Sequence, residues 1–289
     1  MKNLRKGPNS PLMLDNGSTG TPLDAHGRPT HPVFAVATTR SHCSLLEMDY
    51  NFHKSNSTYY ADMDISRTPV VARLFGAGRD VVSQEFDVEI AAQAVAEGKK
   101  PSKKKLPIFV ALGGVYCSFK REIKPYERYE MRSELVAWDE KWLYIVSYFL
   151  KPDKSKGTQV VAAVGVSKYC VKKGRWTVPV ERLLRAGGYL PPRPDGATPV
   201  PGLKETSTVG TPASGAEGIT SAIDGTKLAR EVSKLSADML ERQRKVKNTA
   251  VASWDTEEWT WERIEEQRKR GLEMIQGYLT LDSKLYDDW

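Results

Sequence analysis

The sequence predicts an α+β fold: a curled antiparallel sheet wrapped around one central helix, with a helical extension at the C-terminus. Three observations predict it. A β-rich run, VFAVATTRSHCSLLEM from residue 33, leads through a polar loop into a helical pattern that starts near Asn56. Four further β-rich blocks follow between residues 107 and 173. A Pro/Gly/Ser-rich stretch then precedes two charged, helix-compatible segments. A strand, a helix and four antiparallel strands bury the helix and one face of the sheet together when the sheet curls around the helix.

Taken in order, residues 1–32 are rich in Gly, Pro, Asn and Thr with few apolar anchors, and read as a mobile or draped arm. The domain spans 33–190. Its first strand is expected to end near Glu47. Helical spacing of Tyr59, Met63, Ile65, Val70, Val71, Leu74 and Phe75 predicts the central helix, with Pro69 as a kink or split and Gly76 and Gly78 as its stop. Residues 79–105 read as an insertion, an Ala-rich segment followed by the basic run KKPSKKK. The four blocks are PIFVALGGVYCSFKREI, ERYEMRSELVAWD, KWLYIVSYFLK and TQVVAAVGVSKYCVKK. Residues 138–142 make a tight hairpin between the second and third, and Gly113-Gly114 permits a bulge in the first. TVPVERLLRAGGYL reads as a short helix closed by Gly187-Gly188. Residues 191–225 form a low-complexity linker. In the 226–289 tail, helices are expected at 226–248 and 256–279, the second docking through Trp259 and Trp261.

Composition limits the function classes. In 289 residues, 43 Lys+Arg against 36 Asp+Glu give a net charge of +7, too modest and dispersed to call for a nucleic-acid partner. Phosphates, coenzyme A or an acidic surface are compatible with it, and Lys99 to Lys105 with Lys120-Arg121 are either solvated charge or contacts to CoA phosphates. Three scattered cysteines, Cys43, Cys117 and Cys170, form no CxxC and no zinc spacing, and suit a reducing compartment. There is no run of about 18 apolar residues that could make a transmembrane segment and no signal-peptide core, so the expected location is cytoplasmic. Nucleophile elbows, zinc-protease helices, phosphate loops and dinucleotide fingerprints are all missing, and no cofactor or metal is expected.

The stretch 47–67, EMDYNFHKSNSTYYADMDISR, carries the chemistry that remains. Its Ser/Asn run suits a helix N-terminus, whose free N–H groups are ready donors for a developing oxyanion. Asp49, upstream of that start, is either a base or nucleophile for the same carbonyl or a turn-forming acid. Asn56 is expected at the N-cap. His53 is a structural or catalytic loop histidine. Of Tyr59 and Tyr60, one faces the core and the other an acyl pocket. Asp64 and Arg67 are spaced for a helix ion pair, and Glu47, Asp62 and Asp64 are reserve carboxylates.

Asp49-x-x-x-His53-x-x-Asn56-x-x-Tyr59, followed by Asp64-x-x-Arg67, resembles the signature of hotdog-fold acyl-CoA thioesterases of the 4-hydroxybenzoyl-CoA thioesterase type, in the eukaryotic thioesterase-like branch. Ile123-Lys124-Pro125-Tyr126-Glu127, Tyr129-Glu130 and Trp138-Asp139 match the strand pattern of that branch, and the resemblance covers residues 33–175. It implies a hotdog fold and hydrolysis of a thioester carried by CoA or an acyl carrier protein. Asp49 matches the family's aspartate and the N–H at or next to Asn56 its oxyanion donor. A homo-oligomer, at least a dimer, is implied as well. Departures are Glu47 where many relatives carry an aspartate, Ser55 for the first asparagine of a pair, and Phe52 for a glycine. A non-hydrolytic acyl-binding protein and a dehydratase or isomerase are the alternatives on the same fold.

Overall fold

The computed structural model describes residues 22–96, 98, 100, 106–153, 157–191, 194 and 258–287. One antiparallel sheet dominates. Its strands are β1 (Ala37–His42), β2 (Ile108–Phe119), β3 (Arg128–Trp138), β4 (Trp142–Pro152), β5 (Gln159–Lys173) and the short β6 (Trp176–Val178). The spatial order is β1-β3-β4-β5-β2, with β6 pairing with β5. Register shifts at Leu112/Gly114, Leu135/Ala137 and Phe149/Leu150 bend the strands, and bulges of this kind raise local twist. The expected hairpin at 138–142 is closed by Asp139 N donating to Trp142 O at 3.0 Å. Gly113 is glycine for a second reason, because a Cβ there would collide with the Trp142 ring.

The central helix α1 runs Asn56–Ala96. The expected stop at Gly76 and Gly78 does not occur, and Pro69 does not split the helix into two. The buried positions explain this. Tyr59, Met63, Ser66, Arg67, Val70, Arg73, Leu74, Val81, Val82 and Phe86 continue one inward stripe past both glycines. Residues 79–96 therefore prolong the central helix and its buried face. Gly78 serves a close approach instead, since a Cβ would lie 2.5 Å from Leu183 O on α2 (Val180–Ala186). Helix α2 ends as expected at Gly187, with Gly188 in the left-handed region at φ 76°.

The first strand also differs from expectation. It ends at His42 rather than near Glu47, because its partner β3 begins at Arg128, opposite His42. Pro32–Phe34 and Leu45–Glu47 are 3-10 turns on either side of it.

Two apolar clusters fill the space between α1 and the sheet. The larger gathers Val70, Leu74, Val82 and Phe86 with Leu135, Trp138, Ile145 and the α2 residues Leu183 and Leu184. The smaller, near the N-terminus of α1, gathers Tyr59, Met63, Ile123, Tyr129, Met131 and Phe149. A polar row lies in the sheet-helix interface as well. Ser133 Oγ shares hydrogen bonds with Ser66 Oγ and Ser147 Oγ, each at 2.7 Å, and Arg67 Nη1 donates to Ser167 Oγ at 2.5 Å. Arg67 also pairs with Asp64, as their i, i+3 spacing predicts.

The outer face of the sheet is covered by the chain's own ends. Helices α3 (Trp261–Met274) and α4 (Gln276–Asp287) pack there, with Leu272, Ile275, Tyr278 and Leu279 against Val136, Ala137, Tyr144, Val146 and Val166. The expected single helix at 256–279 is thus two, parted at Ile275. Trp259 is buried and meets the His31 ring edge-on, and Arg268 Nη1 donates to Trp138 O at 2.7 Å. Residues 22–32 of the expected arm are docked: Ala25 N donates to Glu134 Oε2 at 2.6 Å, and Thr30 Oγ1 accepts from Gln267 Nε2 at 3.1 Å. The rest of the arm, the expected 191–225 linker apart from residues 191 and 194, and the expected helix at 226–248 lie outside the described residues. This is the hotdog arrangement, α+β, with a C-terminal helical cover.

Candidate active site

The stretch 47–56 folds as a small hairpin leading into α1. Met48 and Lys54 form an antiparallel bridge, Asp49 N donates to His53 O at 2.9 Å, and Phe52 N donates back to Asp49 O at 3.1 Å. Asp49 is the residue that closes the turn. Its Oδ1 accepts from Asn51 N at 2.9 Å and, at a longer 3.5 Å, from His53 N, the pattern by which an aspartate holds its own loop. Phe52 stands at φ 60°, the left-handed region where the resembling family carries glycine, and its side chain is exposed. Tyr126, in the β2–β3 loop, has a φ of 58°.

His53 points away from Asp49. Its Nε2 lies 2.8 Å from Glu122 Oε2, so the histidine ties the hairpin to the segment after β2, which also accepts Lys54 N at Ile123 O. Asn56 is the first residue of α1 and is exposed. The N-cap position belongs to Ser55, whose carbonyl accepts from Thr58 N at 3.0 Å. Among the described residues, no protein acceptor meets the N–H groups of Asn56 and Ser57. Tyr59 is the core tyrosine, packed on Phe119 and Phe149 at ring distances of 5.1 and 4.9 Å, while Tyr60 is exposed.

Beneath the hairpin sits a group that the spacing of the motif did not single out. Lys54 turns its side chain inward, wholly buried, and its Nζ lies 2.8 Å from both Glu47 Oε2 and Asp62 Oδ2. Tyr129 Oη donates to Asp62 Oδ2 at 2.5 Å. Burial works to lower the Lys54 pKa, but the hydrogen bonds it donates to Asp62 and Glu47 outweigh it and hold the ammonium above its ordinary value. Burial pushes the hydroxyls of Tyr59 and Tyr129 up, so both stay neutral. Of the two acids, Glu47 is the one that reaches solvent, with its side chain 32% exposed against 9% for Asp62. Glu47 O accepts Ser55 N at 2.7 Å, which seats this acid at the start of α1. The sequence signal for Lys54 was faint: a lysine with acids seven residues before and eight after, at positions that only the folded hairpin brings together.

The profile of the thioesterase-like superfamily matches residues 43–186. Thioesterase lcsJ of Purpureocillium lilacinum is 34% identical over 255 residues, which are 88% of this chain and 70% of that protein. The chain belongs to the thioesterase-like superfamily. Thioesterase poxG of Penicillium oxalicum is 32% identical over 286 residues, 92% of this chain and 73% of that one. The probable thioesterase atnL of Emericella nidulans is 38% identical over 204 residues, 65% of each. The superfamily match begins at Cys43 and ends at Ala186, so it takes in the hairpin, α1 and the strands β2 to β6 and leaves α3 and α4 outside. The chain spans 65% of atnL and 70% and 73% of the other two.

Proposed function

We propose that this protein hydrolyses an acyl thioester, carried by CoA or by an acyl carrier protein, at the N-terminus of α1. The observation that carries the reading is Glu47, whose backbone carbonyl accepts Ser55 N just before α1 and whose carboxylate is partly exposed, together with the N–H groups of Asn56 and Ser57, which have no protein acceptor among the described residues. Glu47 takes a proton from water, the water oxygen bonds to the carbonyl carbon, and the negative oxygen that forms is met by those N–H groups. The C–S bond then breaks, and the proton on Glu47 passes to the leaving thiolate. Asp49 is the rival acid, and its binding of two loop N–H groups favours a role in shaping the hairpin. His53, held by Glu122, supports the loop. Phe52 and Tyr60 are exposed at the mouth and fit contacts to the acyl chain.

A homodimer is part of the proposal. The edge strand β2, IFVALGGVYCSF, carries no charge along its 12 residues, and Phe109, Leu112, Tyr116 and Phe119 are exposed on it. Long uncharged edges are what proteins cover or pair. Cytoplasmic action fits three free thiols, and among the described residues no helix is long and apolar enough to cross a membrane.

The test is thiol release from acetyl-, hexanoyl-, decanoyl-, palmitoyl- and benzoyl-CoA and from the matching N-acetylcysteamine thioesters as carrier mimics. Steady release is expected with at least one of them. Glu47→Gln should lower kcat by about 100-fold or more, in the range for a lost general base, and Asp49→Asn by less. The reverse order would assign the base to Asp49, and no release from any thioester would overturn the hydrolytic reading.

A further inference from the structure

Lys54 is the unexpected group of the site. The hairpin around it is open to solvent, with Tyr50 90% and Phe52 71% exposed, yet its own side chain is fully buried. Burying an ammonium is costly unless every N–H finds a partner. Here the partners come from three elements. Glu47 belongs to the 3-10 turn before the hairpin, Asp62 lies one and a half turns into α1, and Tyr129 comes from β3. The Tyr59 and Tyr129 rings flank the ammonium at 5.5 and 5.3 Å. Cys43, after β1, Glu127 and Cys117 are further titratable neighbours; burial raises the Cys43 pKa, with Lys54 working against that and the charges of Glu47, Asp62 and Glu127 adding to it.

A purely structural ion pair needs one acid. This lysine has two, and they differ in kind: Asp62 is buried and fixed by Tyr129 Oη, whereas Glu47 opens to solvent. The ammonium therefore transmits the rigidity of the core, through Asp62, to a carboxylate at the mouth of the site.

We propose that Lys54 is a positioning residue for Glu47, fixing the carboxylate near the start of α1 and offsetting the repulsion between Glu47 and Asp62. The proposal rests on the reading of Glu47 as the base. Removing the ammonium leaves two carboxylates aimed at one point from 2.8 Å on each side. Like charges within about 6 Å of each other disfavour the ionised form, which disarms Glu47 at pH values where the intact protein is active.

The experiment compares the full-length protein with Lys54→Met, Asp62→Asn and the double variant, using whichever thioester of the panel is cleaved fastest. Lys54→Met should lower kcat about 10-fold or more while KM stays within about 3-fold, and should move the acid limb of the pH–rate profile up by about one unit or more. Adding Asp62→Asn removes the second carboxylate and should return the limb toward its original position. A structural role alone would lower the melting temperature without moving the limb, and an unmoved limb overturns the proposal. A readout without turnover separates this from failure of the hydrolytic reading. With 13C-labelled Glu and Asp side chains, assigned using Glu47→Gln and Asp62→Asn, the two carboxyl signals should titrate as a coupled, biphasic pair in Lys54→Met and independently in the unaltered protein. Independent titration in both overturns the proposal whatever the enzyme hydrolyses. Should Lys54→Met not fold, the double variant carries no buried charge imbalance and Asp62→Asn alone leaves Lys54 to Glu47. The acid limb should then move down in Asp62→Asn, and an unchanged limb has the same overturning force.

Discussion

Glu134 shows how a single side chain of this protein couples to pH. It lies on the outer face of β3, where its Oε2 accepts Ala25 N, and burial pushes its carboxyl up to about 7; the Ala25 hydrogen bond lowers it and Asp24 adds to the rise. A folded-state pKa above the unfolded value means that the folded protein holds the proton more tightly. The stabilisation from Glu134 is thus fully present below about 4.5 and is lost as pH rises through about 7, for a total of about 3 kcal/mol at most. Glu134→Gln keeps an acceptor for Ala25 N and removes the titration. Its urea midpoint should exceed that of the unaltered protein at pH 8 and match it near pH 4.5; equal midpoints at both values would refute the assignment. At the same scale, Phe52 holds a backbone conformation that favours glycine. A φ of 60° strains a side chain of this size, and the loop accepts the strain while presenting the ring outward at the mouth of the site.

Among the elements, the α3 helix depends on a glycine that the sequence offered no reason to notice. A Cβ at Gly271 would collide with the Val136 carbonyl of β3, so the helix backbone rests directly on the bulge of that strand. Gly271→Ala forces the helix off its seat and should cost about 1–3 kcal/mol of stability, as overpacking does. It should also expose residues 258–287 to trypsin in the native protein. An unchanged urea midpoint with unchanged protection would show that the helix does not sit there. Helix α1 carries the converse lesson. Gly76, Gly78 and Pro69 are the usual signals of a helix end, but nearly every turn from Tyr59 to Phe86 offers an apolar or paired side chain to the core. Burial of that continuous stripe outweighs the about 1 kcal/mol that each glycine costs.

For the whole molecule, the two ends of the chain and the β2 edge have opposite roles. The outer sheet face is covered by residues 22–30 and by α3 and α4, whereas β2 keeps an uncharged, apolar edge. Association is therefore expected along the edge. Leu112→Lys places a charge in the middle of β2; the unaltered protein is expected to run as a dimer, and the variant as a monomer, in light scattering coupled to gel filtration. A monomeric unaltered protein, or a variant that stays dimeric, would remove the edge from consideration.

The sequence by itself determined the strand blocks, the helix start at Asn56, the bulge at Gly113, the hairpin at 138–142, the Gly187 helix end and the docking of Trp259. Each of these is written in local patterns: alternation, turn residues, caps and glycine pairs act over a few positions. It also marks the stretch 47–67 as the candidate site. Only the tertiary structure decided how long α1 is, what covers the outer face, and that Glu47 and Asp62 meet on a buried Lys54. The fate of a helix at Gly78 depends on α2, a hundred residues away, packing against it. The weighting of Asp49 against Glu47 depends on a hydrogen-bonded hairpin and a buried Lys54 joined to Asp62 and Tyr129. Such contacts bring together residues far apart in sequence, and a carboxylate carries no local mark of whether it closes a turn or faces a substrate.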